Sequence, residues 1–251
     1  MEKIFLLILC TCHWVVMAQI PTQEKQILMP YMGKIEESFP YLEANLEKEI
    51  ASQKEILATI QSLQKELDSD PSFFTKSKIK LQTEVEKYKL ERLEKKIQEK
   101  KLQIAIYTCL LWGFQKNIIT LEKLEKAKKM KPQIIQKQIW ARQERQKAKE
   151  RWENAENRKA AIIQEKQNAE LKLQEYKKRV EILEYKKSWS NMKERMELNT
   201  GIALQNAKIV TLDTEYLIQE KIQKDSVAEE KSMFLEETEA NAALRVIASN
   251  L

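Results

Sequence analysis

Along most of this chain, apolar residues recur at alternating steps of three and four, with charged residues filling the gaps. That spacing gathers apolar side chains into one stripe of an α-helix. Over residues 40–67 it forms two interleaved series. Phe39, Leu46, Ile60 and Leu67 make one, and Ile35, Leu42, Ile56 and Leu63 the other. These are the a and d positions of a heptad, along which helices pair. The pattern lapses at Glu49 and Gln53, while Ile50 and Leu57 add a second apolar edge that suits a further partner helix. Asp68-Ser69-Asp70-Pro71-Ser72 then predicts a turn, with Asp70 as cap and Pro71 at the first position of the next helix. A connection this tight makes the flanking helices antiparallel neighbours.

The spacing predicts a second helix over residues 72–130. Its stripe is Leu90, Leu93, Ile97, Ile104, Tyr107, Leu111, Phe114, Ile118 and Leu121, with Lys100 the lapse. Residues 104–114 are apolar nearly all round, which predicts burial on several sides, in a bundle core or an oligomer interface. Gly113 weakens the helix by about 1 kcal/mol relative to Ala, and it admits another backbone. Glu91/Lys95, Glu122/Lys126 and Glu125/Lys129 are i,i+4 pairs of favourable polarity.

Pro132 either starts a third helix or kinks a continuous one. That helix should reach about residue 199, with Gly201 at its stop, a rod of roughly 100 Å at ~1.5 Å per residue. Ala141, Ala148, Ala155, Ile162, Ala169, Tyr176 and Leu183 fall seven apart on it, and small residues permit a close helix–helix approach. The other series holds Arg145, Trp152, Lys159, Lys166, Leu173 and Val180, a poor seam in its first half. Residues 141–160 therefore read as a single exposed helix awaiting a partner. A fourth helix is expected over 202–224, with Ile202, Ile209 and Tyr216 on one line and Ala203, Val210 and Leu217 on another. A last helix opens at Ser226-Val227-Ala228-Glu229, a capping-box pattern. No sustained period-2 run supports a strand. The fold class is all-α: long helices with heptad repeats, as an extended coiled coil or an elongated antiparallel helical bundle.

The start of the chain differs. Met1-Glu2-Lys3 is short and charged, residues 4–12 are apolar, and Val16-Met17-Ala18 suits a cut before Gln19. Residues 1–18 therefore read as a signal peptide, too short to cross a bilayer, which takes ~20 residues. Residues 19–38, with Pro21, Pro30 and Gly33, read as a flexible linker. The remainder divides into a helical hairpin with coiled-coil pattern (39–131), a long helix, partly coiled coil (132–200), and C-terminal helices (201–251).

Composition agrees with long helices, because three Gly and five Pro in 251 residues leave few places to turn. The net charge is +6, which favours anionic partners only weakly. Its distribution is uneven. Residues 121–151 hold eleven Lys or Arg against four Glu, a net of +7, and residues 225–239 hold six acids against one Lys, a net of −5. These runs are solvated helix faces, or they dock the C-terminal helix antiparallel on 121–151, or they join chains head to tail. Trp140 and Trp152 flank the basic run. Lys128, Lys129, Lys131, Arg142, Arg145, Lys147, Lys149 and Arg151 thus form a candidate anion-binding patch. The bland alternative packs those tryptophans on a neighbouring helix with cationic stems over their faces. Nucleic acid is the less expected anion for an extracellular chain.

Cysteines stand at 10, 12 and 109, so signal cleavage leaves Cys109 alone in an apolar stretch. It reads as a buried thiol or as half of an inter-chain disulfide. The single histidine, His13, lies in the signal-like segment. Its loss would remove the commonest neutral-pH base and most nucleophile triads and zinc sites. No two glycines lie close enough for a phosphate-cradling loop. The carboxylate pairs Glu36/Glu37, Glu229/Glu230 and Glu236/Glu237 suit the surfaces of Glu-rich helices. The expectation is a chain without enzymatic activity, metal or cofactor. It is a secreted coiled-coil protein acting through helix-mediated self-assembly or protein–protein interaction, as a homo-oligomer or hetero-coiled coil. The alternatives are an intracellular scaffold (cytoskeletal, centrosomal or axonemal) in the cytoplasm, and an amphipathic-helix lipid-binding protein.

Overall fold

The computed structural model describes residues 20–69, 72–114, 117–185 and 191–249. Among them are five helices and no strand: α1 (Thr22–Asp68), α2 (Phe73–Gly113), α3 (Leu121–Lys128), α4 (Lys131–Tyr185) and α5 (Asn191–Ser249). The fold is an all-α helical bundle. It divides into two compact units, one comprising the chain up to Trp140 together with the segment from Leu235 onward, the other Ala141–Phe234. The signal-like segment 1–18 and the Asp70–Pro71 cap lie outside the described residues.

The core of the first unit forms around the all-round apolar part of α2. Ala105, Ile106, Cys109, Leu110 and Leu111 meet Leu28, Met32, Ile35 and Phe39 of α1, Leu124 and Ala127 of α3, and Ile134 of α4. Ala240, Ala242, Ala243, Val246 and Ile247 at the end of α5 complete it. Beyond this core α1 and α2 continue as an antiparallel pair. There Leu42, Leu46, Ile56, Ile60, Leu63 and Leu67 are half-buried, and Ile79, Thr83, Leu90, Leu93 and Ile97 line the α2 side at the same alternating spacing. Two helices enclose each seam residue from one side only, so most stay half-buried.

The expected linker over 19–38 is instead helical from Thr22. Leu28, Met32, Ile35 and Phe39 extend the heptad series backward and are buried. Burying a large apolar side chain yields roughly 1.5–3 kcal/mol, against about 3 kcal/mol for a helix-interior proline. Four burials outweigh Pro30 and Pro40. Both prolines and Gly33 lie on the exposed side, where the carbonyls freed by proline reach water.

The second helix ends at Gly113 rather than near residue 130. A Cβ there would lie 2.8 Å from both Ile20 Cδ1 and Val246 Cγ2, so glycine lets the core close over this helix end. Thr120 then caps α3, its Oγ1 accepting the Lys123 N–H at 3.3 Å. The break shifts the helical phase. Ile118 and Leu121, expected in the stripe, are 45% and 66% exposed, and Ile119 and Leu124 are buried in their place. Pro132 falls in the first turn of α4, where its missing donor costs nothing. It starts a helix and does not kink one.

In the second unit, α4 from Ala141 and α5 up to Phe234 run antiparallel. Arg151 binds Glu229, Arg158 binds Glu215, and Arg179 binds Glu194, so one helix ascends as the other descends. Ala141, Ala148, Ala155, Ile162 and Ala169 are no more than 2% exposed and line the α4 side of the seam. Residues 141–160 are therefore not a lone helix: α5 of the same chain covers their alanine face. Gly201 does not stop a helix either. It lies inside α5 beneath the Tyr176 ring, whose Cε2 would stand 2.7 Å from a Cβ at this position. Ser226 is likewise interior to α5 and buried, not a cap. α4 is described to Tyr185 and α5 already from Asn191, ahead of the change expected near residue 200.

Candidate interaction surfaces

Each polar lapse in the heptads faces a polar group on the neighbouring helix of the same chain. In the first unit, Lys100 Nζ donates to Glu49 Oε1 at 2.7 Å, and Gln53 Nε2 donates to Glu94 Oε1 at 3.2 Å. In the second, Lys159 Nζ donates to Gln223 Oε1 at 2.9 Å, and Lys166 Nζ meets Asp213 Oδ1 at 2.5 Å. Arg158 spans both Glu215 oxygens, at 2.6 and 2.9 Å, and also reaches Glu165 at 2.9 Å. That pairing holds the Glu215 carboxyl below its ordinary range. Such contacts fix the register of a helix pair at some cost in stability.

The basic run is divided between the two units and is largely occupied. In the first unit Lys128 pairs with Glu125 at 2.6 Å, while Lys129 is exposed and Lys131 half-buried. In the second, Arg145 and Lys149 both face Glu230 at 3.7 Å, Lys147 pairs with Glu144 at 2.8 Å, and Arg151 bonds Glu229. The Arg145 guanidinium also lies 4.5 Å from the centre of the Phe234 ring. Of the second-unit residues, Arg142 is exposed with no ion pair among the described residues. The acidic α5 segment thus neutralises most of the candidate anion patch there. Trp140 carries Lys137 over its ring at 4.3 Å, and Trp152 is partly exposed.

Cys109 is a free, fully buried thiol, and burial pushes its pKa up to about 12. A thiol so placed is inert, and the inter-chain disulfide would require it at the surface. Near it in sequence, Tyr107 accepts a hydrogen bond from Gln103 at 3.1 Å. Glu239 stands out chemically: burial, with Glu236 adding and Lys137 opposing, raises its carboxyl pKa to about 7. Among the described residues no three His, Cys, Asp or Glu converge as a metal cage would, and no helix is long and apolar enough to cross a membrane.

Among the described residues, large apolar side chains also face outward. In the first unit Phe74, Leu81, Val85 and Tyr88 form a line along α2 opposite its seam, with Phe73 packed edge-on against Phe74 at 5.9 Å. In the second, Met192, Met196, Leu204, Val210, Leu217 and Ile218 of α5 are each more than half exposed. Heptad counting along one helix did not rank these lines above the seams; only the filled seams reveal them as surplus. Compared with known protein families, curated proteins and solved structures, the chain matches none.

Proposed function

We propose that this chain is a secreted, non-enzymatic helical protein that acts by helix-mediated association, with copies of itself or with another protein. The observation carrying this reading is the set of outward apolar lines on α2 and α5, left over after the seams are filled within the chain. Contiguous exposed apolar surface on a soluble protein marks an interaction site. Secretion rests on the Met1–Ala18 pattern. Expression of the full chain in secreting cells, with intact mass from medium and lysate, tests it. A species in the medium lacking residues 1–18 supports the reading. Full-length chain retained in the lysate replaces it with the intracellular scaffold.

A second reading, contact with a lipid surface, is favoured by Phe73 and Phe74. They are 78% and 84% exposed, close to Lys78 and Lys80. Aromatic and basic residues together suit an anionic bilayer surface. Flotation with phosphatidylserine vesicles that is lost on Phe73→Ser with Phe74→Ser supports it. No flotation rejects it.

A further inference from the structure

In a chain that is 33% charged, the outward line of α5 between Met196 and Ile218 holds no charged residue. The span has four charged residues; none is on the line of Met196, Val210 and Leu217, and half-exposed Asp213 borders it. Asp213 and Glu215 are bonded to Lys166 and Arg158 of α4. Glu197 and Lys208 lie about 100° or more around the helix from the face, at ~100° per residue. The line itself is Met196, Ala203, Val210 and Leu217, seven apart, bordered by Asn199, Thr200, Asn206, Ala207, Asp213 and Thr214.

We infer that this face docks a second copy of the chain, the two α5 helices packing antiparallel about a two-fold axis between Asn206 and Ala207. The inference rests on the association reading and names its surface and occupant. Three observations choose a copy. Faces rich in one sign of charge repel their own image, whereas this line brings no like charges together, since Asp213 at its edge meets the copy's Thr200. The line is self-complementary. With the axis at that point, Met196 lies against the copy's Leu217 and Ala203 against the copy's Val210, each contact made twice as two-fold symmetry requires. Ala203 and Ala207 leave room for a close approach, as the alanines of α4 already do in the same unit.

Orientation follows from the ends of the line. A parallel pair sets Lys221 against Lys221. The antiparallel pair sets Lys221 beside the copy's Met192, where a lysine stem can lie along a thioether while its charge reaches water.

The test is sedimentation equilibrium of the full chain over a range of micromolar concentrations, with helicity followed by circular dichroism. A reversible dimer is expected, with Val210→Glu and Met196→Glu each raising its Kd at least tenfold at unchanged helicity. Ala207→Cys, close to the axis, should form an inter-chain disulfide under mild oxidation, and Leu217→Cys alone should not. A dimer indifferent to Val210→Glu overturns the inference but leaves self-assembly standing on another surface. A chain monomeric throughout overturns it and confines the association reading to other partners. A Leu217→Cys disulfide without an Ala207→Cys one overturns the antiparallel geometry. A monomer that floats with phosphatidylcholine vesicles, and stops doing so on Val210→Glu, hands the face to lipid.

Discussion

Glu239 is held in the folded chain with a pKa near 7, chiefly by burial. The unfolded chain restores an ordinary carboxylate value of about 4.3. The folded state therefore holds its proton more tightly. The stability this confers is complete below pH ~4.3 and is lost as pH rises through about 7. Glu239→Gln should remove that loss, raising stability by about 1–3 kcal/mol at pH 8 and hardly at all at pH 4. Thermal melts across this range check it, and a difference that does not vary with pH would mean the carboxyl is hydrated. The glycines separate by the same attention to surroundings. Gly33 meets nothing within 4 Å of an added Cβ, whereas Gly113 meets two side chains at 2.8 Å. Gly33→Ala should stabilise by roughly 0.5–1 kcal/mol, as expected for relieving a helix-interior glycine. Gly113→Ala should destabilise, because Ile20 and Val246 must give way inside a packed core; denaturant midpoints decide both. Gly113 was legible as a weak point of a helix, from residue type and position alone. Glu239 was not, since its burial depends on where the end of α5 packs.

A seam between two helices is specified by its exceptions. Glu49 and Lys100 are both largely shielded and face each other across α1 and α2. Lys100→Glu sets two carboxylates together in that seam and should cost about 1–3 kcal/mol. Glu49→Lys added to it restores opposite charge and should recover most of the loss. A double-mutant cycle by urea denaturation measures the coupling, and additive losses would show that the pair does not hold register. The heptads that predicted these helices were readable because a helix's own period is local. What answers each lapse was not, because the partner stands 41, 47, 51 or 64 residues away. Each lapse therefore looked like a broken seam or an invitation to another chain. The segment 19–38 was misread for the converse reason. Its prolines and glycine are local signals of a break, and the burial that overrides them comes from α2 and α5.

At the scale of the whole molecule, a net charge of +6 with a basic run suggests affinity for polyanions, yet pairing changes which charges are available. In the second unit Arg145, Lys149 and Arg151 are engaged by Glu229 and Glu230. An approaching polyanion must displace carboxylates already in place, and exchanging one exposed ion pair for another gains little. Heparin retention should therefore be weak for the wild-type chain. Glu229→Gln with Glu230→Gln should strengthen it, since releasing three cations adds local positive field as well as two units of net charge. Glu47→Gln with Glu66→Gln makes the same change in net charge without releasing those cations, and serves as the comparison. If the first double variant elutes at distinctly higher salt than the second, the acidic segment of α5 masks the basic run. If the two elute together, net charge alone governs polyanion binding and the pairing has no masking role.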